Sequence, residues 1–127
     1  MKLIITDGID KAEFEPQKKI FDLEIIKDAA RKSLRGLGDN IKSSFKIPAT
    51  SLCKIYLTST GGAGRALFLL KIGKEKSVLV MIRMKKDKHI GVNMTIKNPK
   101  FQKSLERNLG LIIDDLELGN YLEYGLD

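Results

Sequence analysis

The sequence is poor in the side chains that build disulfides and metal centres. It contains one cysteine, Cys53, and one histidine, His89. An internal disulfide is therefore impossible, and a structural zinc site of four Cys or His ligands is excluded. We accordingly expect neither a metal ion nor another cofactor.

Long hydrophobic runs are also absent. No apolar stretch approaches the roughly 20 residues that cross a bilayer. The opening residues 1–6 reach Asp7 too early for the apolar core of a secretory signal. These absences predict a soluble, cytoplasmic protein that has no membrane partner.

Apolar and charged residues are both plentiful in the 127 residues of the chain. Hydrophobic residues make up 43% and charged residues 31%, which excludes wholesale disorder and suits a packed core. A chain of this length predicts one domain, spanning residues 1–127.

The net charge of +7 is distributed unevenly. Residues 1–30 have a net charge of −2 and residues 104–127 one of −5, whereas residues 31–103 hold seventeen basic and three acidic residues, a net charge of +14. Such a basic segment indicates a polyanion partner such as nucleic acid. The alternative is a solvated, lysine-rich surface.

The first third of the chain predicts a strand followed by helices. Residues 1–6 resemble a short edge strand closed by a turn at Asp7-Gly8. Apolar residues at three- and four-residue steps predict a helix over 16–37, with Pro16 in its first turn. Asp39 suits the N-cap of a second short helix over 39–45.

The middle of the chain predicts three strands, over residues 52–60, 65–72 and 77–85. Short turns that contain glycine separate them, which is typical of an antiparallel meander. Asn98 and Pro99 then suit the start of a C-terminal helix that ends near Gly119. The predicted fold class is α+β: a small antiparallel sheet of three to four strands packed against N-terminal helices, with a C-terminal helix.

Alternation assigns the strand residues to two faces of the sheet. The face with Cys53, Phe68 and Val80 is expected to pack on the 16–37 helix. The opposite face mixes basic and large apolar residues: Lys54, Tyr56, Arg65, Lys71, Arg83 and Lys85 with Leu67, Leu69, Leu79 and Met81. We expect the first strand, the 7–15 arm, the last helix or a partner to cover it. Alternatively both faces are core and the basic residues fringe the sheet.

Residues 83–89, at the end of the third strand, form a basic run. Together with Lys54 and Arg65 this run could hold two or more phosphates. A solvated turn is the alternative. Arg65 is expected to pair near Thr60, far from Lys54, so the cations would form a diagonal stripe rather than a pocket. The expected RNA-binding residues are Lys54, Tyr56, Arg83, Lys85 and Lys88.

The segments around these residues carry a family resemblance. The strand Cys53-Lys54-Ile55-Tyr56-Leu57, the arginine that opens Arg65-Ala66-Leu67-Phe68, and the apolar third strand with its basic tail resemble the RelE/ParE superfamily of bacterial toxins. The likeness covers about residues 50–90, and the long final helix departs from the compact members. It implies a toxin of a type II toxin–antitoxin system that acts on mRNA, in some members on the ribosome, and is neutralised by an acidic antitoxin protein.

The resemblance also implies roles for single residues. Lys54 and Arg65 match positions that contact the phosphates at the cleaved bond, and Lys86, or its neighbour Lys85, matches a third basic position. Tyr56 stands where some members have a lysine. The C-terminal tyrosine of many members has no counterpart, whereas His89 matches a histidine that others use after the third strand.

RNA cleavage by the 2′-OH needs a group that takes its proton and cations that face the phosphorane. Imidazole exchanges protons near neutral pH, and a guanidinium can contact a phosphate with two donors. The predicted catalytic residues are therefore His89, Arg65 and Lys86, in a metal-independent endoribonuclease. The alternatives are a non-catalytic protein of this fold that binds a protein target such as gyrase, a basic nucleic-acid-binding module, and a structural domain of a larger assembly.

Overall fold

Six strands form one mixed sheet in the computed structural model, which describes residues 1–43, 47–71, 73–91 and 94–127. In chain order the strands are β1 (Lys2–Thr6), β2 (Asp39–Ile41), β3 (Thr50–Ser59), β4 (Gly62–Lys71), β5 (Lys76–Met84) and β6 (Tyr121–Gly125). Their order across the sheet is β2-β3-β4-β5-β1-β6. β1 runs parallel to β5, and the other neighbouring pairs are antiparallel.

Three helices accompany this sheet in the described part of the chain. Helix α1 consists of three successive pieces, Asp7–Ile9, the π-helical Asp10–Phe14 and Glu15–Gln17; α2 is Leu23–Leu34 and α3 is Pro99–Leu118. None of the described helices is both long enough and apolar enough to cross a membrane.

Caps fix the ends of α2 and α3. The Oδ1 atom of Asp22 accepts a hydrogen bond from the backbone N–H of Ile25 at 3.0 Å. Asn98 caps α3 in the same way, and Gly119 ends that helix with a φ of 74°, a left-handed conformation that favours glycine. The predicted C-terminal helix is therefore confirmed at both ends.

The α+β class and the meander β3-β4-β5 are confirmed, but the predicted size of the sheet is wrong. The sheet has six strands and is partly parallel, rather than small and wholly antiparallel. Residues 1–6 do not form an edge strand, because β1 lies between β5 and β6. The consecutive apolar residues Leu3, Ile4 and Ile5 are all buried, as expected for a strand that packs on both faces.

The predicted N-terminal helices are also corrected. The 16–37 helix is interrupted between α1 and α2, where Phe21 is fully buried and Asp22 caps a new helix. Asp7-Gly8 begins a helix rather than a turn. Residues 39–41 form β2 instead of a helix, because they pair with β3. Phe45 and Ile72, which the predictions placed in a helix and a strand, lie outside the described residues.

Helices cover both faces of the sheet. Helix α2 packs against β3, β4 and β5 on the face of Cys53 and Phe68, as predicted, and there the hydroxyls of Ser33 and Ser77 lie 2.9 Å apart. The predicted alternation is wrong for the first half of β5, because a register shift between Leu67 and Phe68 places Leu79, rather than Val80, opposite Phe68. Helices α1 and α3 pack on β5 from the other side, where Asn108 and Glu13 reach its backbone. Of the four covers expected for the second face, the 7–15 arm and the last helix lie over β5, whereas Tyr56 of β3 remains exposed on that face.

Candidate nucleic-acid interface

Strand pairing places three of the predicted site residues in one row. Tyr56 of β3 lies opposite Arg65 of β4, which lies opposite Arg83 of β5. Side chains at such positions point to the same face and are close neighbours. The expected pairing of Arg65 near Thr60 is wrong, because β4 begins three residues earlier, at Gly62. Lys54 and Arg65 are therefore near neighbours, offset by two residues on adjacent strands, rather than lying at opposite ends of the strands.

Tyr56 lies at the β3 end of this row, and two cations flank its ring. Tyr56 is 57% exposed, although it lies in the middle of β3. The Nζ atom of Lys54 is 5.0 Å from the centre of the tyrosine ring, and the Cζ atom of Arg65 is 5.3 Å from it. Both distances are typical of cation–π contacts. We call Lys54, Tyr56 and Arg65 the Tyr56 platform.

Two contacts hold the cations of the platform in place. Lys54 Nζ lies 4.0 Å from Asp39 Oδ2 on β2, and Arg65 Nη1 donates a hydrogen bond to the carbonyl oxygen of Gly91. The second contact ties the platform to residues 85–91, which we call the basic loop. Arg65 keeps further N–H donors for another partner, because a guanidinium carries five.

Arg83 occupies the same row but is turned inward. Its guanidinium donates to Oε1 of Glu13, and its Nε atom lies 3.8 Å from Asp87 Oδ2. The side chain of Arg83 is 16% exposed and that of Glu13 is 1% exposed. Arg83 therefore balances a buried carboxylate, and the structure does not present it beside Tyr56 as a surface cation.

The basic loop is a compact turn built around Asp87. Its Oδ1 atom accepts the backbone N–H groups of His89 at 2.9 Å and Ile90 at 3.0 Å. Burial of the carboxyl opposes its ionisation, but these hydrogen bonds and the charge of Arg83 outweigh burial and lower the pKa of Asp87. The anchored loop carries three exposed lysines, Lys85, Lys86 and Lys88.

His89 is exposed at the end of this loop, against the start of α3. Its carbonyl oxygen accepts a hydrogen bond from Asn98 Nδ2 at 2.8 Å, and its Nδ1 atom lies 3.1 Å from Lys100 Nζ. Because an ammonium group only donates, this contact makes Nδ1 the acceptor and leaves the ring proton on Nε2. The ring can take a proton at Nδ1 only when Lys100 moves away.

The structure thus brings together part of the predicted site. Lys54, Tyr56 and Arg65 form the platform, and the Arg65 contact with Gly91 joins it to the loop of Lys85, Lys86, Lys88 and His89. Sequence reasoning missed Glu13, Asp87 and Lys100, whose contacts orient Arg83, the loop and the imidazole. Glu13 could have been found from the sequence, because it is an acidic residue in the 7–15 arm, which was expected to cover the basic residues of the sheet.

Other chemistry on the chain is limited. In the ranges that the structure describes, no three His, Cys, Asp or Glu side chains lie close enough to hold a metal ion. Cys53 is buried, and burial raises the pKa of its thiol, which disfavours the reactive thiolate.

Comparisons of the chain with protein-family models, with curated proteins and with solved structures found no match.

Proposed function

We propose that this protein binds single-stranded RNA on the Tyr56 platform and the basic loop, and that it acts as a toxin of a type II toxin–antitoxin system. The observation that carries the proposal is the exposed ring of Tyr56 between Lys54 and Arg65. An exposed aromatic side chain stacks on unpaired bases, and neighbouring cations bind the backbone phosphates. The lysines of the loop extend the cationic surface beyond the platform.

The reaction proposed for the bound strand is metal-independent cleavage of mRNA. Arg65 would face the phosphorane with the donors that Gly91 leaves free, and Lys86 would add a second positive charge. Attack of the 2′-OH on the phosphorus would form the 2′-O–P bond and break the P–O5′ bond. His89 would take the proton of the 2′-OH at Nδ1 once a phosphate draws Lys100 away, and the departing 5′-oxygen would take a proton from water. An acidic antitoxin protein, attracted by the same cationic surface, would neutralise the toxin.

A second candidate function is non-catalytic binding of RNA or of a protein target such as gyrase. The contact between Lys100 and His89 favours it, because this contact occupies the lone pair that proton abstraction requires. Both candidates use the cationic surface, and they differ in the role of His89.

Binding is tested with a fluorescent 12-nucleotide single-stranded RNA and anisotropy. Tyr56→Ala should weaken binding about tenfold, since a stacked base contributes roughly 1–3 kcal/mol. Leu122→Ala is the matched control, because Leu122 is similarly exposed, at 62%, but lies on β6. Equal affinities of the parent and Tyr56→Ala would contradict the platform.

Cleavage is tested by expressing the protein and mapping transcript ends in the presence of translating ribosomes. His89→Ala should slow cleavage about 10²-fold or more while RNA affinity changes less than about twofold, because general acid–base catalysis acts mainly on the rate. Growth arrest with intact transcripts, caused by the parent protein and by His89→Ala alike, would favour the non-catalytic candidate. Folded protein that neither arrests growth nor binds RNA would exclude both.

A further inference from the structure

The outer edge of β3 is unpaired over its second half. β2 pairs only with Leu52, Cys53 and Lys54, and no strand of the described residues lies beside 55–59 on that side. β3 therefore presents an open edge next to the end of β2. Open edges are places where another extended segment can pair.

The hydrogen-bond pattern identifies which residues face this edge. The carbonyl of Ala63 on β4 accepts from Lys85 beyond β5, so Ala63 bonds toward β5 and its neighbour Gly64 bonds toward β3. Gly64 pairs with Leu57, and backbone groups alternate in direction along an antiparallel strand. The N–H and C=O groups of Tyr56 and Thr58 therefore point outward.

Helix α2 forms the second wall of a groove along this edge. Two hollows, of about 310 and 230 Å³, lie between β3 and α2 and share Lys32 and Tyr56. Ile25, Ala29 and Leu57 supply apolar lining. Leu37, which is 67% exposed, lies at the far end. The groove thus combines free backbone groups with apolar side chains.

The charge of the larger hollow is acidic. Asp22, Glu24 and Asp28 line it together with one cation, Lys32. The side chain of Glu24 is 76% exposed and that of Asp28 is 60% exposed. Their ion pairs with neighbours on α2, at 3.6–3.9 Å, are exposed pairs of little strength, so another cation can replace them.

We propose that this groove, here called the β3 edge groove, binds an extended segment rich in lysine or arginine from a partner protein. The segment adds to β3 as a strand, with main-chain hydrogen bonds to Tyr56 and Thr58, and its alternate basic side chains meet the carboxylates of α2. A second copy of the chain fits poorly, because pairing of two β3 edges would bring two acidic α2 faces together.

The probe is a fluorescent nine-residue peptide of alternating lysine and valine with blocked ends, and its partner probe has glutamate in place of lysine. The lysine peptide should bind at least tenfold more tightly. The protein carries a net charge of +7, so general attraction would favour the glutamate peptide and cannot produce this result. Amide exchange at Tyr56 and Thr58 should slow when the lysine peptide is added.

Two variants test whether the lysine peptide binds in the β3 edge groove. Glu24→Lys with Asp28→Lys should weaken the lysine peptide at least tenfold, whereas Glu106→Lys with Glu117→Lys makes the same charge change on α3 and should leave affinity within twofold. Thr58→Pro removes an N–H group that points out from the sheet, and it should also weaken binding. An edge strand tolerates proline at such a position.

Three results would overturn the proposal. They are equal affinity for the two peptides, no change of amide exchange at Tyr56 and Thr58, and binding that both groove variants leave intact. A dimer that Thr58→Pro dissociates would also overturn it, because the occupant would then be a second copy. RNA binding by the Tyr56 platform is measured separately and does not depend on these outcomes.

Discussion

Single side chains complete the sheet where β1 no longer pairs with β5. β1 pairs with residues 76–78, so the next part of β5 has backbone groups without a strand partner. Asn108 Nδ2 donates to the carbonyl of Val80 at 2.9 Å, and Glu13 Oε1 accepts the N–H of Ile82 at 2.9 Å. The carboxylate of Glu13 is buried, and Arg83 supplies the opposite charge that burial requires.

We predict that Glu13→Gln lowers the free energy of unfolding by about 3 kcal/mol, at the lower end for breaking a buried ion pair. The amide keeps the shape of the side chain but removes its charge. Arg83 then keeps its hydrogen bond to the carbonyl of Ile82 and its longer ion pair with Asp87, at 3.8 Å. Urea unfolding followed by circular dichroism measures the change. Glu24→Gln, which removes an exposed pair with Lys27, is the control and should change stability little. Equal losses in the two variants would contradict the role of Glu13.

Elements with a local signal were predictable from the sequence. Two-residue alternation correctly grouped Lys54, Tyr56 and Arg65 on one face of the meander, and caps correctly bounded α3. β6 carries no such signal, because Tyr121–Gly125 is a half-exposed edge strand that gains its structure from pairing with β1. The inward turn of Arg83 was also out of reach, because it depends on Glu13, which lies 70 residues away and is brought to Arg83 by tertiary packing.

Substitution by alanine should have opposite effects on stability at two glycines, Gly110 within α3 and Gly119 directly after it. Gly119 has a φ of 74°, whereas nothing outside the helix lies within 4 Å of a Cβ built on Gly110. Gly119→Ala should therefore destabilise the protein by about 1 kcal/mol, and Gly110→Ala should stabilise it by roughly 0.5–1 kcal/mol, because alanine is the better helix former. Thermal unfolding measures both. A lower melting temperature for Gly110→Ala would contradict the packing around α3.

The folded molecule separates its charges along the sheet. The acidic segments 1–30 and 104–127 meet where β1 pairs with β6 and where Asp115 accepts the N–H of Gly8 at 2.8 Å. The basic segment 31–103 supplies β2, β3, β4 and β5. A polyanion is therefore attracted to the side of β3, β4 and β5, except at the acidic β3 edge groove, and it is repelled from the side of β1 and β6.

The salt dependence of RNA affinity tests which end of the basic side binds. Each neutralised phosphate on a single strand contributes a slope of about −0.7 to log K against log[salt]. Lys85→Ala with Lys86→Ala should therefore flatten the slope by about 1.4 and weaken binding.

Lys71→Ala with Lys74→Ala is the control, because it removes the same charge at the opposite end of β4. Lys71 lies six residues, or about 20 Å, from Arg65 along the strand, which is beyond the screening length of about 10 Å at 0.1 M salt. This control should keep the parent slope. Equal flattening in both variants would mean that the whole basic side attracts RNA without a defined site, and an unchanged slope in both would move the RNA contacts away from the basic loop.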